Sequence, residues 1–137
     1  MTGEKLLIGI VIVAHGGLAQ EYLAALEHVV GKQFGITAVS IKNEDDRKNK
    51  QDEICLAADR VDQGSGVVVV TDIFGGSPSN LAMLACRPDD RRIVYGANLP
   101  LLLKLAKSRN LVIDEAVNAA LCSGRQYLDA KNIPNSD

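Results

Sequence analysis

Apolar and amphipathic stretches alternate along the chain. Leu6–Val13 is apolar apart from Gly9, and Val67–Val70 is four consecutive valines. Short β-branched runs of this kind read as strands buried on both faces, as in a parallel sheet. On this pattern the strands are Lys5–Val13, Ile36–Ile41, Val67–Asp72 and Arg92–Gly96. Between them the apolar spacing changes to that of helices. Leu18–Val30 carries a stripe of Leu18, Tyr22, Ala25, Leu26 and Val29, with Gly31 as its carboxyl cap. A second helix, from about Asp46 to Asp62, buries Ile54, Ala57, Ala58 and Val61, and its mixed charges Arg47, Lys48, Lys50, Asp52 and Glu53 read as a solvated face. A short helix starts near Pro78 and carries Leu81, Leu84 and Ala85. Asn98-Leu99-Pro100 opens a leucine-rich helix through about Ser108, and Asp114–Leu128 is the last, with Val117, Ala120, Leu121 and Leu128 on one side.

Strict strand–helix alternation with right-handed crossovers predicts an α/β fold: an open, mostly parallel, doubly wound sheet with helices on both faces. The economical strand order is 2-1-3-4, which makes the first and third strands neighbours at the point where the topology reverses. Open sheets of this type keep their chemistry at the carboxyl ends of the strands there. The segment Leu101–Ala106 is apolar nearly all round. Such a helix belongs in a core or an interface, and we expect a two-fold homodimer.

Composition narrows the function classes. With 137 residues the chain is one domain, 1–137, and with no linker or repeat it holds a single core. It is 47% hydrophobic but only 4% aromatic and lacks Trp, so that core is aliphatic. A net charge of −2 and the absence of a Lys/Arg track argue against nucleic-acid binding. Arg91-Arg92 and Lys104/Lys107/Arg109 read as solvated surface. Cys55, Cys86 and Cys122 are odd in number and far apart, as expected of buried free thiols rather than of disulfides or a zinc site. Leu6–Ala14 is too short to span a bilayer and lacks a cleavable signal pattern, so the expected location is cytoplasmic, without membrane insertion.

The candidate chemistry sits where two strands end. Ala14-His15-Gly16-Gly17 follows the first, and Thr71-Asp72-Ile73-Phe74-Gly75-Gly76-Ser77-Pro78 follows the third. An aspartate accepting from imidazole Nδ1–H leaves Nε2 as the nucleophile. A phosphoryl group on Nε2 needs donors for its oxygens. Gly16 and Gly17 allow close backbone approach, and Gly75, Gly76 and Ser77 present N–H groups at a helix start, with Ser77 as N-cap and Pro78 as first helical residue. Taken singly, Asp72 could be a turn residue, Ser77-Pro78 a plain helix cap, and His28 an exposed histidine on a polar helix face. No G-x-G-x-x-G or P-loop occurs, and Gly75-Gly76-Ser77-Pro78-Ser79 misses the last glycine of a nucleophile elbow. His15 and Asp72 are too few for a metal site, and no cofactor is expected. Two other readings stay open: a hydrolase using Ser77, His15 and Asp72, and a non-catalytic anion- or nucleotide-binding module on a flavodoxin-like sheet.

The elements His15-Gly16-Gly17, Asp72-x-x-Gly75-Gly76-Ser77-Pro78-x-Asn80, Gly96-Ala97-Asn98-Leu99-Pro100-Leu101-Leu102 and Ser123-Gly124-Arg125 resemble the enzyme IIA domain of the mannose family of the bacterial phosphoenolpyruvate-dependent sugar phosphotransferase system. The resemblance runs from Lys5 to about Ala130. It implies a phosphohistidine at His15, charged by the histidine-containing phosphocarrier HPr and discharged to a IIB protein, with Asp72 orienting the imidazole. It also implies a flavodoxin-like three-layer sandwich, and a homodimer with an added antiparallel strand near the carboxyl-terminus. Phe74 stands where that family is expected to carry a tryptophan. The chain stops at Asp137 without a linker into a IIB domain. This suggests a stand-alone IIA that serves sugar uptake through a separate IIB or reports phosphorylation state to a regulatory target.

Overall fold

The computed structural model describes residues 6–43, 45–73, 80 and 89–134. Four strands, β1 (Gly9–His15), β2 (Ile36–Ile41), β3 (Val67–Thr71) and β4 (Arg91–Val94), form one sheet in the order β2-β1-β3-β4. Every pairing is parallel: Ile10 lies opposite Ile36 and Val68, and Val68 opposite Arg92. The helices are α1 (Leu18–Val30), α2 (Arg47–Val61), α3 (Leu99–Lys107) and α4 (Ile113–Gln126). The expected order 2-1-3-4 is therefore the observed one. Of the helix expected from Pro78 only Asn80 is described, and it is helical; the rest, including Leu81, Leu84 and Ala85, lies outside the described residues. So does an added antiparallel strand as far as it would involve 135–137; the described tail 128–134 is irregular.

Both faces of β1 are buried, which is why its sequence shows no polar alternation. Ile8, Ile10, Ile12 and Ala14 join Val68, Val70 and Val94 in a cluster with residues of α1, α3 and α4. Val11 and Val13 join Val39, Ile41, Val67 and Val69 against Ile54, Ala57, Ala58 and Val61 of α2. Three layers result, with the sheet in the middle. Gly9 marks the tightest contact. A Cβ there would lie 2.6 Å from Val61 Cγ2 and would overlap the Val61 carbonyl.

Several expectations are corrected. The inward face of α1 is Ala19, Tyr22, Leu23, Leu26 and Val30, while Leu18 and Val29 are exposed. Leu128 lies past the end of α4 and is exposed; Ala116, Ala120 and Gly124 take the buried side. In α3, Leu101, Leu102 and Leu105 are buried, and Leu103 and Ala106 pack on the same cluster. That helix is absorbed within one chain, between α1 and α4, so its composition is no argument for an interface. Arg91 and Arg109 are buried rather than solvated. Arg91 pairs with Asp59 (2.6 Å) and Asp62 (3.3 Å), and Arg109 donates from Nε to the Ile8 carbonyl (2.7 Å). Burial lowers the Arg109 pKa. Cys55 is half-buried, Cys122 is exposed rather than buried, and Cys86 lies outside the described residues.

Candidate functional site

His15 is the last residue of β1, and Asp72 follows the last residue of β3. Because these two strands are adjacent and parallel, their carboxyl ends bring the two residues together at the reversal of the sheet. Asp72 Oδ2 lies 3.0 Å from His15 Nδ1 and accepts the His15 backbone N–H at 3.1 Å. Its Oδ1 accepts the Ile73 N–H at 2.9 Å. Partial burial alone would raise the Asp72 pKa; these hydrogen bonds and the imidazole outweigh it and hold the carboxyl below its usual range. An ionised carboxylate can only accept, so in the neutral imidazole Nδ1 carries the proton and Nε2 the lone pair. The Asp72 side chain is 11% exposed and that of His15 48%, so the anchor is sheltered while the imidazole is open to a partner.

The glycine pair after His15 divides its work. Gly16 has a left-handed backbone (φ +58), and its N–H donates to the Ile41 carbonyl (2.9 Å). It turns the chain from β1 toward α1; its N–H is already engaged within the sheet. Gly17 is the N-cap of α1 and has no side chain to close the helix end. The first-turn N–H groups there are available to an anion. Gly75, Gly76 and Ser77, expected to complete the donor set, lie outside the described residues. His28 is exposed on α1, away from the pair. Among the described residues no group of three or more His, Cys, Asp or Glu could hold a metal ion.

Two features were not visible in the pattern. Tyr22, expected only as an apolar position, donates its hydroxyl to the Ala97 carbonyl (3.1 Å). Burial and then the charge of Asp72 raise its pKa, so it forms a neutral wall behind the carboxylate. On the other side of His15 is a cavity of about 280 Å³ lined by Lys42, Asn43, Asp45, Arg47 and Lys50. The charges at the start of α2 are thus not simply a solvated face. Their proximity to His15 depends on the β1–β2 pairing, in which His15 lies opposite Ile41.

A family model described as the PTS system fructose IIA component matches residues 9–121. The mannose-specific EIIAB component of the Escherichia coli (strain K12) phosphotransferase system is 26% identical over 126 residues, 90% of this chain and 39% of that protein. The chain therefore spans about two fifths of the length of that relative. The fructose-specific EIIA component of Bacillus subtilis (strain 168) is 25% identical over 114 residues, 82% of this chain and 78% of that one. Among solved structures, the mannose/sorbose specific IIA subunit from Enterococcus faecalis superposes with a TM-score of 0.80 at 28% identity, covering 96% of this chain and 99% of that one. Among the described residues no helix is long and apolar enough to cross a membrane. With the family match extending from the first strand through most of α4, the chain belongs to the IIA components of the bacterial phosphotransferase system.

Proposed function

We propose that the protein is a cytoplasmic phosphocarrier that holds the phosphoryl group on Nε2 of His15. Phospho-HPr is the donor, and a IIB protein or a regulatory target is the acceptor. The observation that carries this reading is the 3.0 Å contact between His15 Nδ1 and Asp72 Oδ2. It fixes the tautomer whose bare nitrogen is Nε2. In the step, the Nε2 lone pair attacks phosphorus. The N–P bond to the donor imidazole breaks with its electron pair returning to the donor, and a new N–P bond forms on His15. The imidazole becomes cationic, and ionised Asp72 offsets that charge without taking the proton. The N–H groups at the start of α1, together with Gly75, Gly76 and Ser77, serve the phosphoryl oxygens. Incubation with phosphoenolpyruvate, enzyme I and HPr should give one acid-labile phosphate per chain. Unmodified protein would defeat the proposal.

The protein also acts as a two-fold homodimer on this reading. Strand β4 stands at the sheet edge among the described residues, beside a largely apolar cavity of about 420 Å³ whose lining includes Ile93, Tyr95, Val117, Leu121 and Leu128 together with the polar Asn98 and Arg125. A second copy that covers this edge would satisfy its backbone groups and bury the exposed apolar side chains.

A further inference from the structure

The cavity between His15 and the β2–α2 turn is unevenly charged. Lys50 is already neutralised: its ammonium lies 2.8 Å from Glu53 and 3.5 Å from Asp45. Burial alone would favour its neutral form, but these two carboxylates outweigh that and raise its pKa. Asp45 is also committed to the turn, accepting the Lys42 backbone N–H at 2.7 Å. Asp46 caps α2 by accepting the Lys48 N–H at 3.1 Å. Among the described residues, the carboxylates of this turn, Asp45 and Asp46, are therefore engaged. Lys42 and Arg47 line the same space, are exposed, and form no ion pair with the described residues. Lys42 and Arg47 are thus the two cationic side chains of the lining that no ion pair with the described residues holds.

We infer that this cavity is an oxyanion site of the phosphate class, in which Lys42 and Arg47 receive the phosphoryl group as it approaches His15. Naming the phosphoryl group as the occupant rests on the phosphocarrier reading; the site itself does not. The planar guanidinium of Arg47 suits two phosphate oxygens at once, and Lys42 adds a mobile point charge. At about 280 Å³ the space lies at the lower end of small-molecule pockets (roughly 300–1,000 Å³), which suits a small anion better than a nucleotide. The lining carries three cations, Lys42, Arg47 and Lys50, against the one carboxylate of Asp45, and a positive bias of this kind draws anions toward the imidazole, an effect that salt screens.

The test titrates the unphosphorylated protein with inorganic phosphate at fixed pH and low ionic strength, following the His15 imidazole by NMR. Wild type should show a saturable shift. The double variant Lys42→Gln/Arg47→Gln should bind at least ~10-fold more weakly, as loss of a focused positive field implies. Lys48→Gln should bind like wild type, because Lys48 is 82% exposed, pairs with Asp52 and does not line the cavity. No saturation in wild type, equal binding by the double variant, or an equal loss in Lys48→Gln would each overturn the inference. A second arm measures phosphorylation of His15 by phospho-HPr. The double variant should be slower at low salt and approach wild type at high salt. If wild type bound phosphate but was never phosphorylated, the phosphocarrier reading would fail while the anion site stood.

Discussion

Asp72 does three things with one carboxylate: it orients the His15 ring, ties the His15 backbone and closes the turn at Ile73. Asp72→Asn keeps an acceptor oxygen but loses the charge. It should retain the fold and slow single-turnover transfer from phospho-HPr by ~10²–10³, the usual cost of removing a preorganised electrostatic partner. Asp72→Ala should be at least as slow, and His15→Ala should not carry phosphate at all. Transfer by Asp72→Ala at the wild-type rate would refute the pair. The depressed pKa of Asp72 also links the site to stability. Between its folded and unfolded pKa values the unfolded chain binds more protons, so the contribution is fully present above the unfolded value near ~3.9 and declines as pH falls toward the folded one. Denaturation of wild type and Asp72→Asn should thus differ constantly around neutrality and converge below about pH 4. A gap that widened in acid would contradict it. The His–Asp pair was legible in the sequence because both residues terminate strands. The charged cavity was not, since Lys42 and Arg47 look like ordinary exposed loop and helix charges until β2 is placed beside β1.

The apolar spacing locates the elements, but their exact ends and inward faces are set by what they pair with. Ile36–Ile41 and Leu18–Val30 have the bounds that the apolar spacing predicts. Strand β1 instead runs Gly9–His15: its ends are set by the ladders to β2 and β3, and pairing continues beyond the last apolar residue to His15. In α1 the alternatives Leu18/Val29 and Ala19/Leu23 lie roughly 110° apart around the helix, flanking the shared positions Tyr22 and Leu26, and only the sheet decides between them. Arg91 and Arg109 were misread because their partners lie 32 and 101 residues away. The close approach of α2 to β1 gives a sharp test. Gly9→Ala would drive a methyl group into the Val61 carbonyl and Val61 Cγ2. Overpacking of this sort costs about 1–3 kcal/mol, and here backbone must move. The midpoint of urea unfolding should fall accordingly; an unchanged midpoint would mean that α2 shifts freely.

At the scale of the whole molecule, the site is a product of strand order. Placing β1 between β2 and β3 puts His15 between the Asp72 turn on one side and the charged β2–α2 turn on the other. Sequence alternation made that order legible. It left the assembly open, because the helix that suggested an interface is consumed within the chain. The edge of β4 and its largely apolar cavity now carry the dimer proposal. Light scattering at micromolar concentration should give twice the 14.6 kDa chain mass, and a single monomeric mass would count against it. The central claim is that His15 takes phosphate on Nε2 because Asp72 holds Nδ1. The most direct measurement is the ³¹P–¹⁵N coupling pattern of the phosphorylated, ¹⁵N-labelled protein. Phosphate on Nε2 of His15, with Nδ1 still protonated, is the predicted result; phosphate on Nδ1, on His28 or on Ser77 would contradict it.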